Sequence, residues 1–124
     1  MQHPGFAELV GFEVFPENDG TGKGQLAITE PHRNPNGVVH GGALFTLVDT
    51  VMAATLTHCL REGEVCATLQ ISMNFLRPVV DGVVECEARV VNKSRRFANV
   101  RGELYVQQRL VGTADGNFAI MQAP

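Results

Sequence analysis

Between Gly41 and Leu60 the chain carries a single formal charge, Asp49, set among Leu47, Val48, Val51 and Met52. A run this apolar predicts a helix buried on most sides. A carboxylate in the middle of such a helix is costly unless something pairs with it or uses it. Its neighbours three and four positions away, Phe45, Thr46, Met52 and Ala53, do not read as a wet face. His40-Gly41-Gly42 stands where the helix should begin, so unpaired amides and the positive end of the helix dipole point outward there. Arg61-Glu62-Gly63 reads as its end, with a cation near the C-terminal carbonyls and a glycine just beyond.

The rest of the chain must enclose this helix. Residues 3–15 suggest a short helical turn followed by a strand beginning at Gly11. Pro16–Gly22 is turn-forming throughout, and Gly24–Thr29 alternates as a strand with Leu26 and Ile28 on one face. Pro31 and Pro35 make Glu30–Asn36 a loop that delivers the chain to the helix start. Beyond the helix the period becomes two. Leu69, Ile71, Met73 and Phe75 alternate with Thr68, Gln70, Ser72 and Asn74 until Pro78. Further strands are expected at Val84–Val91, Phe97–Val106 and Leu110–Met121. Short connections favour an antiparallel meander. The expectation is an α+β fold in which a curved antiparallel sheet of five or six strands wraps one long central helix.

Composition limits what such a fold can do. The length of 124 residues suits one domain, 1–124, with a real core. Hydrophobic content of 44% against 19% charged residues fits a soluble globular protein. Net charge of −3 and the lack of a basic tail leave no field to attract nucleic acid. No targeting segment stands at the start, and Gly41, Gly42, four threonines, Asp49 and His58 make 41–60 too polar to be a lone membrane span. The odd count of three cysteines, Cys59, Cys66 and Cys86, reads as reduced, buried thiols and therefore a cytoplasmic protein. The four histidines and the scattered carboxylates have no metal-ligand spacing, so neither a metal nor a redox cofactor is expected.

Asp49 is the first candidate for chemistry, as a base or nucleophile acting on a carbonyl or a water. The alternative is a carboxylate satisfied by a threonine or by backbone. Gly41 or Gly42 offers an amide to an oxyanion, because a glycine lets a ligand approach the backbone. Thr68 has a hydroxyl that can orient water beside Asp49, or is an ordinary strand residue. Asn34 and Asn36 are turn formers by default, and His40 taken alone is a hydrogen-bonding residue. Lys93, Arg95 and Arg96 form the only dense basic spot, either a solvated hairpin or a grip on phosphates. Phe45, Met52, Met73 and Phe75 are candidates for a pocket lining. Gly41 and Asp49, eight residues apart, lie about 12 Å apart along a helix rising about 1.5 Å per residue. Attack needs contacts of about 3 Å. If both groups act on one substrate they come from two chains, and a two-fold axis would make two sites per dimer.

The segment Asn34-Pro-Asn-Gly-Val-Val-His40-Gly41-Gly42, with Asp49 nine residues after the histidine, resembles the hotdog-fold acyl-CoA thioesterases of the phenylacetate-degradation (PaaI-like) branch. The likeness extends through Thr68–Pro78 and the strands after it. It implies hydrolysis of an acyl-CoA thioester with no cofactor beyond the coenzyme A of the substrate. It also implies homodimers with shared sites, and commonly a tetramer. On that resemblance Asp49 is base or nucleophile, Gly41 polarises the carbonyl, and His40 and Asn34 stand beside the thioester. Thr68 matches a water-positioning residue; Gly42, Phe45, Asn36, Arg95 and Arg96 are candidates for holding substrate. Two other functions fit the same pattern, an acyl-thioester dehydratase or hydratase and a non-catalytic acyl-CoA-binding protein.

Overall fold

A computed structural model describes residues 5–124. A short helix α1 (Gly5–Val10) precedes strands β1 (Phe12–Pro16) and β2 (Thr21–Ala27). A 3-10 turn (Glu30–His32) and a loop then lead to the long helix α2 (Gly41–Thr57). Four strands follow, β3 (Glu64–Phe75), β4 (Val83–Lys93), β5 (Phe97–Val106) and β6 (Arg109–Gln122). All six strands join one antiparallel sheet in the order β1-β2-β4-β5-β6-β3. No helix among the described residues is long and apolar enough to cross a membrane.

The sheet curls around α2, and glycines let it come close. Gly22 and Gly24 of β2, Gly102 of β5 and Gly116 of β6 have no side chains where the strands cross the helix. A Cβ on Gly24 would strike Val51 and come within 2.9 Å of the Glu13 carbonyl oxygen; one on Gly102 would sit 3.2 Å from the Met52 sulfur. Into that narrow gap α2 directs Leu44, Leu47, Val48, Val51, Met52, Thr55 and Leu56, all buried. Thr55 satisfies its hydroxyl within the helix, donating to the Val51 carbonyl at 2.7 Å. Val84, Cys86, Val100, Leu104 and Phe118 close the core from the strands. Burial, with Glu87 alongside, pushes the Cys86 thiol up to about 12, so it stays protonated and inert. Cys59 and Cys66 are only half-buried, less enclosed than the sequence suggested.

Four expectations need correction. Strand β2 begins at Thr21, inside the stretch read as a loop, because Gly22 and Gly24 keep the inward period without supplying apolar side chains. Helix α2 stops at Thr57 rather than near Arg61, the chain tightening through His58–Leu60 with amides returning to Leu56 and Thr57. The meander covers only β4, β5 and β6. Strand β3 crosses to the far side of the sheet and pairs with β6, because the connection 76–82 is long enough to span it. Most important, the sheet covers only one face of α2. Gly42, Phe45, Thr46, Asp49, Thr50, Ala53 and Thr57 remain exposed or half-exposed, so Asp49 is not deeply buried.

The close approach of β2 makes a size prediction. Gly24→Ala should lower stability by about 1–3 kcal/mol, the scale of overpacking a filled core. Urea unfolding followed by circular dichroism measures it, with Lys23→Ala, on the outward face, as the comparison.

Candidate active site

The site grows from the way the N-terminus of α2 distributes its amides. A helix leaves its first amides without partners inside the helix. His40 is the N-cap; its Nδ1 accepts from the Gly42 amide at 2.7 Å and its carbonyl accepts from the Ala43 amide at 3.0 Å. Gly41 is left as the helix-start amide for which no acceptor stands among the described residues. An accepting Nδ1 also places the His40 ring proton on Nε2, where it can donate outward. A side chain at position 42 would displace the His40 ring, since a Cβ there would meet Nδ1 at 2.8 Å. Of the two glycine amides expected to be available, that of Gly42 is already taken by His40, and that of Gly41 has no acceptor among the described residues.

The loop ahead of the helix makes a similar choice between asparagines. Asn36 accepts the Val38 amide on its own side-chain oxygen at 3.2 Å, closing a turn in which Gly37 adopts φ 87°. Asn34 uses its backbone, accepting from Gly37 at 2.9 Å and donating to Val38 at 2.7 Å. Its half-buried side chain has no hydrogen-bond partner among the described residues. The turn-forming default thus holds for Asn36, and Asn34 keeps a free carboxamide.

Asp49 lies two turns along α2 on the uncovered face. The Thr68 hydroxyl donates to its Oδ1 at 2.8 Å. That contact depends on an irregularity in β3. The register with β6 pairs Thr68 with Phe118 and then Gln70 with Asn117, so Leu69 is an extra, bulged residue. Without it, Thr68 would share the outward face with Gln70 and Ser72, as strict alternation suggested. The bulge turns Thr68 inward while Ile71 and Met73 still face the core, and leaves Leu69 57% exposed.

Residues 36–113 match the family model of the thioesterase superfamily. The chain belongs to that superfamily. A conserved protein of Pseudomonas aeruginosa superposes with a TM-score of 0.90 at 35% identity, covering 94% of each chain. A point mutant of the phenylacetic acid degradation protein PaaI from Thermus thermophilus superposes with a TM-score of 0.84 at 29% identity, covering 92% of this chain and 96% of that one. A Haemophilus influenzae protein with a provisional esterase name is 30% identical over 88 residues, 71% of this chain and 64% of that protein's length. This chain thus spans just under two thirds of that relative. A Listeria monocytogenes protein named 1,4-dihydroxy-2-naphthoyl-CoA hydrolase is 26% identical over 88 residues, 71% of this chain and 72% of its own. The six-stranded curl around one helix is the hotdog fold, and the relatives put the chain in the PaaI-like branch of this hydrolase superfamily.

Within this hotdog chain three grooves border the predicted residues. One of about 280 Å³ runs from Gly41 and Leu44 to Phe75 and Pro78, with the Phe75 ring where a Gly41 Cβ would come within 3.2 Å. A second, of about 450 Å³, lies between α1 and the helix start, bounded by Phe6, Leu9, His40, Gly42 and Thr46. The helical turn expected early in residues 3–15 is α1, but nothing in the sequence assigns Phe6 and Leu9 a role in a site; the only signal is their spacing, one helical turn apart. A third, polar groove of about 470 Å³ brings Arg95 beside Arg61 and Lys93, with Glu62 and Glu64; Arg96 is not part of it. Met52 is fully buried against the sheet and lines none of these three, and Phe45 lies on the open helix face at 37% exposure. Among the described residues no group of three or more His, Cys, Asp or Glu is arranged to hold a metal ion.

The capping geometry predicts the effect of one methyl group. Gly42→Ala should swing His40 off the helix start and remove the cap, lowering stability by about 0.5–2 kcal/mol. Thermal unfolding measures the loss, and the His40 ring protons in NMR spectra report the displacement.

Proposed function

We propose that this chain hydrolyses an acyl-CoA thioester to a free acid and coenzyme A, at a site formed jointly by two copies of the chain. The Gly41 amide, at the positive end of α2 and without an acceptor among the described residues, carries this reading. The thioester carbonyl oxygen accepts from that amide, with His40 Nε2 and the Asn34 carboxamide beside the sulfur and the acyl carbon. Asp49 is the general base. Thr68 occupies its Oδ1, so Oδ2 takes a proton from water as the water oxygen bonds to the carbonyl carbon. The resulting oxyanion rests on the Gly41 amide, a contact supplying about 3 kcal/mol in sites of this kind. The carbonyl re-forms, the C–S bond breaks, and the thiolate leaves, recovering a proton from the protonated Asp49. No metal or redox cofactor enters the scheme.

Two features support a shared site. Gly41 and Asp49 are on one helix, about 12 Å apart along its axis by the helical rise, too far for one carbonyl to touch both. The uncovered face of α2 is flanked by β3, a strand of 12 residues at the edge of the sheet with Val65, Leu69 and Phe75 exposed. A second copy related by a two-fold axis satisfies this edge, covers the helix face and sets each Asp49 near the other chain's Gly41. The groove with Arg61, Lys93 and Arg95 lies beyond the C-terminal end of α2. In such a dimer the partner's groove falls past Gly41, where the phosphates of an extended coenzyme A would reach. Arg96 stands outside the groove. A dimer of dimers and a cytoplasmic setting complete the proposal, with 1–124 acting as one domain.

Release of free thiol from a panel of acyl-CoA esters tests the activity; tight binding of the esters without release would indicate a binding protein instead. Asp49→Asn should remain folded and lose at least about a hundredfold in kcat. Gly41→Pro removes the amide hydrogen at a helix position that tolerates proline, and His40 already has the extended backbone a following proline requires. That variant should also be folded and inactive. Refolded together in equal amounts, the two inactive chains should recover about a quarter of wild-type activity, because half of the dimers are mixed and each has one intact site. No recovery from the mixture would overturn the shared site.

A further inference from the structure

Helix α1 poses a question of its own. It has six residues, too few to be stable alone, and buries none of them fully. Ala7 and Val10 pack against the core, and the structure ties down its end twice. The Gly11 amide donates to the Ala7 carbonyl at 2.7 Å, and His32 Nε2 donates to the Val10 carbonyl at 2.6 Å. His32 Nδ1 meanwhile accepts the Thr29 amide at 2.9 Å, so both ring nitrogens are committed to holding the helix in place. The element so anchored leaves its two largest apolar side chains uncovered, Phe6 at 59% and Leu9 at 80% exposure. They form one wall of the 450 Å³ groove whose other wall is Gly42, Ala43 and Thr46 of α2.

We infer that this groove receives the acyl group of the substrate, with Phe6 and Leu9 as the residues that set acyl specificity; the inference rests on the thioesterase reading above. The ends of the groove differ in polarity, and this sets the orientation of the occupant. At the α2 end, His40 Nε2–H is free to donate, which suits the thioester carbonyl; Gly41, between His40 and Gly42 of this wall in sequence, lines the neighbouring groove of about 280 Å³. At the α1 end, Phe6, Leu9, Val10 and Pro31 are apolar, and His32 is already spent on Val10 and Thr29. The groove volume is that of a small-molecule site. An apolar acyl group, alkyl or aryl, therefore fits this lining, whose two side-chain hydroxyls already have contacts, Thr29 with the His32 ring and Thr46 with the Gly42 carbonyl.

The test compares acetyl-, octanoyl- and phenylacetyl-CoA with the full chain and with Phe6→Ala and Leu9→Ala. We expect kcat/KM for octanoyl- and phenylacetyl-CoA to fall about tenfold or more, mainly through KM, with acetyl-CoA changed by less than about twofold. Phe6→Leu should restore most of the octanoyl-CoA rate. Equal losses on all three esters, or no loss on any, overturns the assignment. So does a change in sedimentation with an unchanged acyl profile, which would make Phe6 and Leu9 an interface between chains. Calorimetry on Asp49→Asn, with and without Phe6→Ala, separates the groove from the chemistry. Octanoyl-CoA affinity that depends on Phe6, found together with no thiol release by the unsubstituted chain, would defeat hydrolysis but support the groove. Affinity indifferent to Phe6 defeats the groove even where turnover is high.

Discussion

The contact on which the structure depends is that between one face of α2 and strands that lack side chains where they cross it. Glycines on β2, β5 and β6 let the sheet curl tightly enough to bury Leu47, Val48, Val51 and Met52 completely. Dense packing of that kind fixes both the rotation and the height of the helix, since neither can change without opening voids. Everything on the opposite face inherits its position from this contact. Asp49 and the helix start are held by a core they do not join.

The same rigidity makes the local polar choices at the helix start consequential. One imidazole and one carbonyl, both from His40, take two of the leading amides, and a side-chain turn at Asn36 removes one of two competing carboxamides. What remains is sparse: one amide, one imidazole N–H and one carboxamide, with a carboxylate two turns away. Selectivity here arises from satisfying the neighbours of the groups left unpaired. Each of these internal bonds contributes modestly to stability, on the order of 1 kcal/mol. Their larger effect is to leave a defined set of groups unsatisfied.

Much of this was legible in the sequence, and the parts that were not have identifiable causes. The long helix, its glycine start and the lone Asp49 follow from the charge pattern of residues 41–60, and the strands of the second half from period-two alternation. The start of β2 was hidden because glycines replaced the apolar residues that mark an inward face. The placement of β3 beside β6 was hidden because pairing between distant strands leaves no local pattern. The inward turn of Thr68 depends on one surplus residue, Leu69, which alternation cannot reveal. The half-open helix could not be read from hydrophobicity, since Phe45, Ala53 and the threonines of the open face resemble in composition the residues buried against the sheet. Helix α1 was read as a turn and its two exposed apolar residues were assigned no role, being too short a pattern to separate from packing.

The bulge at Leu69 has a second consequence for the edge on which it lies. Along a regular edge strand every second residue offers its N–H and C=O outward, an open template for any extended chain. An extra residue shifts that phase, so the outward-facing groups before Leu69 and after it belong to alternate sets of positions. A regular strand can match one stretch or the other, but not all 12 residues of β3. Only a strand with the same discontinuity can follow the whole edge, and an identical chain is the one guaranteed to possess it. The irregularity that aims a hydroxyl at Asp49 thus also guards the fold against indiscriminate fibril-like growth.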